Sequence, residues 1–279
     1  MKKLTLIVLA FFVSLLSTYG QETEKSLLWE ISGNGLEQSS YLYGTFHLVC
    51  GGDIQLKDKA EKAFNKSEQL VLELDFGDRT IMKNIQQKMF FTDGSTAKDY
   101  LNDEEYKLAK SFFNDSLDQP FQYMKVVKPF FLSSMTLRHF TGCVAKSFEK
   151  HLAYKARKDS IEIQEMETLQ EYLGFIDEIP VKKHKKILIE PLKKYDKTKK
   201  MFAQMIEHYR NEDISKINSL TDEYMSEEYA EYKKDLLTSR NKNWVPGIEK
   251  LMKQKASFIA VGAGHLPGDG GIIELLREK

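Results

Sequence analysis

The chain reads as an α/β protein with a central mixed sheet flanked by many helices. Three observations carry this expectation. Apolar runs of strand length stand at Tyr41-Leu42-Tyr43, Gln69–Leu74 and Phe258–Val261. Between the first two, Lys57–Phe64 alternates charged and apolar residues at helical spacing, and so short a strand–helix–strand order calls for a parallel crossover. Most of the chain between Asp78 and Lys255 then carries helical periodicity, which supplies the layers such a sheet needs.

Taken in order, Leu27–Ile31 and Ser40–Tyr43 form a hairpin around Gly33-Asn34-Gly35, a strong turn signal. The Lys57–Phe64 helix and the strand Gln69–Asp75 follow, the latter carrying Glu73 and Asp75 at its far end. Thr96–Phe113 and Tyr123–Phe140 hold most of the aromatic residues and are expected to cover the sheet. A short strand at Ser160–Gln164 precedes a helix that Glu167 opens. Lys182–Lys200 is lysine-rich, but Ile187, Leu188, Leu192 and Tyr195 interrupt it, so it reads as a solvated helix face, with an anionic partner as the lesser alternative. Helices continue from Met201 to Lys255 with a break at Pro246. The strand Phe258–Val261 and a helix from Gly271 close the chain.

Residues 1–20 have the form of a signal peptide: Lys2 and Lys3, an apolar run from Leu4 to Leu16, then small and polar residues up to Gly20. The run is short for a membrane span. The expected mature protein is therefore exported, periplasmic or secreted, and keeps no stable membrane anchor. Cleavage would leave 39 of the 41 basic residues against 41 acidic ones, a net charge near −2. Nothing in that balance calls for a nucleic-acid partner. With no Pro/Gly/Ser-rich linker in view, a single domain over 21–279 is expected. Cys50 and Cys143 are the only cysteines. In an oxidising compartment they could pair, and pairing is preferred over two free thiols.

The chemistry concentrates in a phrase that occurs twice. Gly44-Thr45-Phe46-His47 follows one apolar strand and Gly262-Ala263-Gly264-His265 follows another. Each is a strand that ends in glycine and delivers an imidazole just past its tip, where ligands gather in α/β sheets. Glu73 ends a third apolar run, and a carboxylate buried there needs a partner. If the three strands are parallel neighbours, two imidazoles and a carboxylate converge, a ligand set suited to Mn, Fe, Co or Zn. A further carboxylate would serve as general base, with Glu149, Glu165 and Glu167 as candidates, and Arg240 could stabilise developing negative charge. The remaining histidines, His139, His151, His184 and His208, lack this context. There is no His-Glu-x-x-His helix and no Gly-x-Ser-x-Gly elbow. Gly262-x-Gly264-x-x-x-Gly268 has too little chain after it for a dinucleotide fold.

At these residues the chain resembles the TraB/GumN family, which also includes the Tiki proteins. The resemblance runs from about Leu27 to the end. It rests on Tyr43–His47, Val71–Asp75, Lys128-Pro129-Phe130, Glu149–Leu152, Met166-Glu167-Thr168 with Gln170, Arg240–Trp244 and Val261–Leu266. It implies a fold related to the erythromycin esterase and ChaN-like group. It also implies a divalent-metal hydrolase acting on peptide or protein substrates, since Tiki members are regarded as metal-dependent proteases. By position, His47, His265 and Glu73 would hold the metal, with Glu73, Glu167, Arg240 and Asn241 in catalytic roles. Glu149 departs from the aspartate that many members carry, and relatives often add a short strand beyond the position of Lys279.

The leading expectation is thus an exported metal-dependent hydrolase of peptidase type. The alternative is a non-catalytic envelope protein that captures a small ligand, haem or a peptide in the same crevice, haem by an axial histidine.

Overall fold

The structure, a computed structural model, describes residues 25–224 and 234–279. The expected signal segment, 1–20, lies outside the described residues. Five strands form one mixed sheet: β1 (Leu28–Ile31), β2 (Ser40–Thr45), β4 (Gln69–Leu72), β6 (Glu162–Glu165) and β7 (Ser257–Gly262), in the order β1-β2-β7-β4-β6. β1 pairs antiparallel with β2 through the hairpin, whose Gly33, Asn34 and Gly35 all have positive φ. β2, β7, β4 and β6 are parallel.

The crossover from β2 to β4 through α1 (Asp58–Lys66) is present, but it skips a place that the last strand fills. β7 is buried along its whole length, as expected of an apolar run with parallel partners on both edges. A smaller antiparallel pair joins β3 (Val49–Cys50) to β5 (Ala145–Lys146), and Cys50 and Cys143 form a disulfide with Cα atoms 5.7 Å apart.

Tyr43 and Phe258 pack against Phe64 of α1 and Phe148 of α7 (Phe148–Lys158) with ring centroids 5.3–5.8 Å apart. The aromatic segments between β4 and β5 do not cover the sheet as expected. They comprise α2 (Arg79–Lys88), α3 (Ala97–Tyr100), α4 (Asp103–Ser111), α5 (Phe121–Met124) and α6 (Pro129–Phe140). Their buried residues, among them Phe112, Phe113, Phe121, Leu132 and Phe140, form a second apolar cluster with Leu188, Ile189, Met201 and Phe202. The last four lie on α9 (Val181–Lys193) and α10 (Tyr195–Arg210). Short helices with capping boxes at Thr96 and Asn102 fold this region onto itself, which supplies its own core.

Helix α8 (Leu169–Glu178) starts at the N-cap Thr168, so Glu167 stands just before it. On the lysine-rich face, Lys185 pairs with Glu105, Lys193 and Lys194 with Glu190, and Lys197 with Glu223 of α11 (Ile214–Tyr224). Pro246 does not break its helix: α12 (Arg240–Gln254) runs through it. Trp244, Val245, Ile248 and Met252 are all buried, and packing of that face holds the helix across the missing N–H. Helix α13 (Ile272–Arg277) ends the fold. A cavity of about 420 Å³ lies beside the β1 hairpin, lined by Trp29, Leu42, Met252 and Arg277. The carboxyl ends of β2, β7 and β4 face away from that hairpin turn. No helix among the described residues is long and apolar enough to cross a membrane.

Candidate functional site

Register brings the three strand tips together. Thr45 is opposite Gly262, and Leu72 is opposite both Ala260 of β7 and Glu165 of β6. His47, His265, Glu73 and Glu167 each follow one of these strands within three residues. Two backbone contacts continue the β4–β6 ladder past its end: Met166 N donates to Leu72 O at 2.9 Å and Glu167 N to Glu73 O at 3.2 Å.

Two glycines of the repeated phrase are there for space. A Cβ on Gly262 would lie 3.0 Å from His47 Nε2 and 3.5 Å from Glu73 Oε1. One on Gly44 would lie 2.7 Å from Leu266 Cδ1. The chain thus comes close enough at Gly262 for imidazole and carboxylate to rest against bare backbone.

His47 is held from behind. Its Nδ1 is 2.8 Å from Glu149 Oε1, and the same carboxylate accepts hydrogen bonds from Thr45 Oγ1 at 2.5 Å and Ser147 Oγ at 3.0 Å. Desolvation where the ring meets Glu149 would lower the proton affinity of His47, although most of its side chain stays exposed. The charge of Glu149 and its hydrogen bond, with Glu73 beyond, overcome that and raise its pKa to about 9. Burial would conversely raise Glu149, but the same pairing holds it below the ordinary carboxylate range.

His265 is held in the same manner by a different group. Its Nδ1 is 2.6 Å from Asn241 Oδ1, while Asn241 Nδ2 donates to His265 O at 3.2 Å and Gly270 O at 2.9 Å. Those two carbonyls fix the amide orientation, so Oδ1 accepts and Nδ1 of His265 carries the proton. Its Nε2 then presents a lone pair 3.9 Å from Glu73 Oε1. Burial in this enclosed position, partly offset by Glu73, lowers the pKa to about 3, so the ring is neutral.

Glu73 lies between the histidines. Oε1 accepts from Gly262 N at 2.7 Å and Oε2 from Arg240 Nη2 at 2.8 Å. Although burial opposes ionisation, His265, Arg240 and His47 together hold its pKa near 2. Arg240 also reaches Glu167 through Nη2 at 2.6 Å and Nε at 3.1 Å, and its guanidinium stacks 4.5 Å over the ring of Trp244. Trp244 Nε1 donates to Glu167 at 3.3 Å and its ring lies 4.7 Å from His265. Burial raises the pKa of Glu167 against the pull of Arg240.

Six residues expected from the sequence are thus in one constellation: His47, Glu73, Glu167, Arg240, Asn241 and His265. Glu149 joins it behind His47. Glu165 does not, since its carboxylate accepts from Asp75 N at 2.7 Å. The sequence reading missed Thr45, Ser147 and Trp244. Trp244 lies one helical turn from Arg240, a spacing that places both side chains on one face. Thr45 and Ser147 flank residues already chosen, but a hydroxyl gives no signal of what it will bond.

The donor set suits a divalent metal in chemistry and orientation: two imidazoles fixed at Nδ1 by oxygen acceptors, both Nε2 atoms near one carboxylate. Among the described residues, no group of three or more His, Cys, Asp or Glu side chains is already drawn together closely enough to hold a metal ion. The fit therefore lies in the donors and what anchors them.

Fold and site together define an α/β protein with a composite histidine–carboxylate centre at the carboxyl ends of the parallel strands of a mixed sheet. The chain belongs to the TraB/PrgY/gumN family, whose sequence profile matches residues 27–279. No curated protein and no solved structure matches the chain.

Proposed function

We propose that the protein is an exported, divalent-metal-dependent hydrolase of peptidase type. The observation that carries the reading is the paired anchoring of His47 by Glu149 and His265 by Asn241, which leaves the Nε2 of His265 3.9 Å from Glu73 Oε1 and that of His47 against the bare backbone of Gly262, whose N–H donates to the same carboxylate. His47, His265 and Glu73 would hold the metal. A bound divalent ion would supply Lewis acidity at neutral pH.

The chain's own residues divide the remaining work. Glu149 and Asn241 orient the imidazoles. Arg240 holds Glu73 and Glu167 apart and balances their charge, so its guanidinium acts on the carboxylates rather than on a substrate oxyanion. Glu167, whose proton affinity burial raises, is the carboxyl assigned to proton transfer. Export rests on Lys2, Lys3 and the apolar run to Leu16. N-terminal sequencing of protein recovered from outside the cytoplasm would test it, and an intact Met1 would refute it.

The test of the activity is turnover of a peptide mixture by chelated protein reloaded with Mn²⁺, Fe²⁺, Co²⁺ or Zn²⁺. One of these metals should restore turnover, and His47→Ala and His265→Ala should each lower it by roughly a hundredfold or more. Full activity and full metal content in both variants would end the proposal.

A further inference from the structure

Beside the carboxylate pair Glu73–Glu167 stands an aromatic pair contributed by the same two chain segments. Phe76 follows Glu73 by three residues and Tyr172 follows Glu167 by five. Their rings meet edge to face with centroids 5.6 Å apart. The backbone bond from Glu167 N to Glu73 O ties the segments where the carboxylates leave the sheet, and the aromatic contact ties them again one step further out. Both rings are half-buried. Among the described residues the Tyr172 hydroxyl has no hydrogen-bond partner, nor is it one of the sealed polar atoms. It also lies in the field of Arg240, Glu73 and Glu167, all members of the site.

We propose that Phe76 and Tyr172 form a subsite for the apolar side chain of a peptide substrate. In it the rings receive the side chain, and the Tyr172 hydroxyl donates a hydrogen bond to a substrate carbonyl. The chemistry follows from the half-buried pair: the aromatic surface it leaves uncovered for an apolar group, and one unused donor for an acceptor that the carboxylates beside it could not bind. An acidic side chain is disfavoured by Glu73 and Glu167. The bland role for such a pair is to seal the margin of the second apolar cluster, and that role would leave ligand binding untouched.

The inference rests on the hydrolase reading for its substrate class, but binding tests it without catalysis. N-acetyl-phenylalaninamide would be titrated into the full chain and followed by NMR, with N-acetyl-aspartamide as the control probe. Binding should be seen for the first probe and be at least about tenfold weaker for the second. Phe76→Ala and Tyr172→Ala should each weaken the first about tenfold, and Tyr172→Phe should weaken it about threefold. The conservative Tyr172→Phe keeps the ring contact, so it separates loss of the donor from loss of fold. Absent binding, equal binding of the two probes, or unchanged binding in all three variants of Phe76 and Tyr172 would overturn the proposal. Failure of the hydrolase reading would show separately, in the metal-reloading assay.

Discussion

His47 and Glu149 share a hydrogen bond of 2.8 Å across 102 residues of chain, yet they meet solvent very differently: the histidine side chain is 57% exposed and the carboxylate 3%. Glu149 also satisfies Thr45 and Ser147, so removing it strands three groups, whereas removing His47 leaves the carboxylate with two hydroxyl donors. Glu149→Ala should therefore cost about 3 kcal/mol of folding stability and His47→Ala about 1 kcal/mol or less, read as urea midpoints at constant slope. Equal costs would show that the exposed imidazole is not merely appended to a buried acceptor.

The two glycines of Gly262-Ala263-Gly264-His265 should behave differently. A methyl on Gly262 meets His47 Nε2 at 3.0 Å and Cε1 at 3.3 Å, while one on Gly264 meets nothing within 4 Å. Gly262→Ala should displace His47 and lower metal affinity by about tenfold or more with little change in Tm. Gly264→Ala should be neutral. Calorimetric metal titration of the two variants, run beside melting curves, distinguishes them.

Arg240 separates two carboxylates that are both nearly sealed from solvent. Arg240→Ala should cost about 3–5 kcal/mol, since it leaves buried charge without its partner. Adding Glu167→Gln should recover part of that loss. A double variant no more stable than Arg240→Ala would argue against the ion network as the source of the cost.

His184 supplies a stability effect distant from the site. It is buried beside Phe130 with its Nε2 unpartnered, and burial lowers its pKa to about 4, with Asp177 opposing and Lys128 assisting. The unfolded chain would bind a proton near pH 6.5 that the folded chain refuses until about pH 4. Stability from this group is therefore complete above pH 6.5 and falls as pH drops through that window, by on the order of 2–3 kcal/mol. His184→Leu should flatten that part of the curve. An unchanged acid slope in the variant would assign the effect elsewhere.

What could be read from the sequence and what could not divide along physical lines. The strand tips were legible because a short apolar run, a terminal glycine and a following histidine are all local features. The insertion of β7 between β2 and β4 was not, since pairing order is set by contacts among segments far apart in the chain. The aromatic content of Thr96–Phe140 correctly signalled burial, but composition cannot say against what, and these helices built their own cluster with α9 and α10. Pro246 misled because propensity was outweighed by the packing of Trp244, Val245 and Ile248. Among the acids, Glu73 stood out on an apolar strand, whereas Glu149 was one of three candidate bases by position, and only the fold shows that it is the one hydrogen-bonded to His47.

The central claim is that His47, Glu73 and His265 act as one donor set. The most direct measurement is the visible absorption spectrum of the chelated protein titrated with Co²⁺, whose ligand-field bands report imidazole and carboxylate donors. The wild type should develop these bands at one equivalent, and His47→Ala, His265→Ala and Glu73→Gln should each weaken binding by about tenfold or more. Bands that form with wild-type affinity in all three variants would contradict the account.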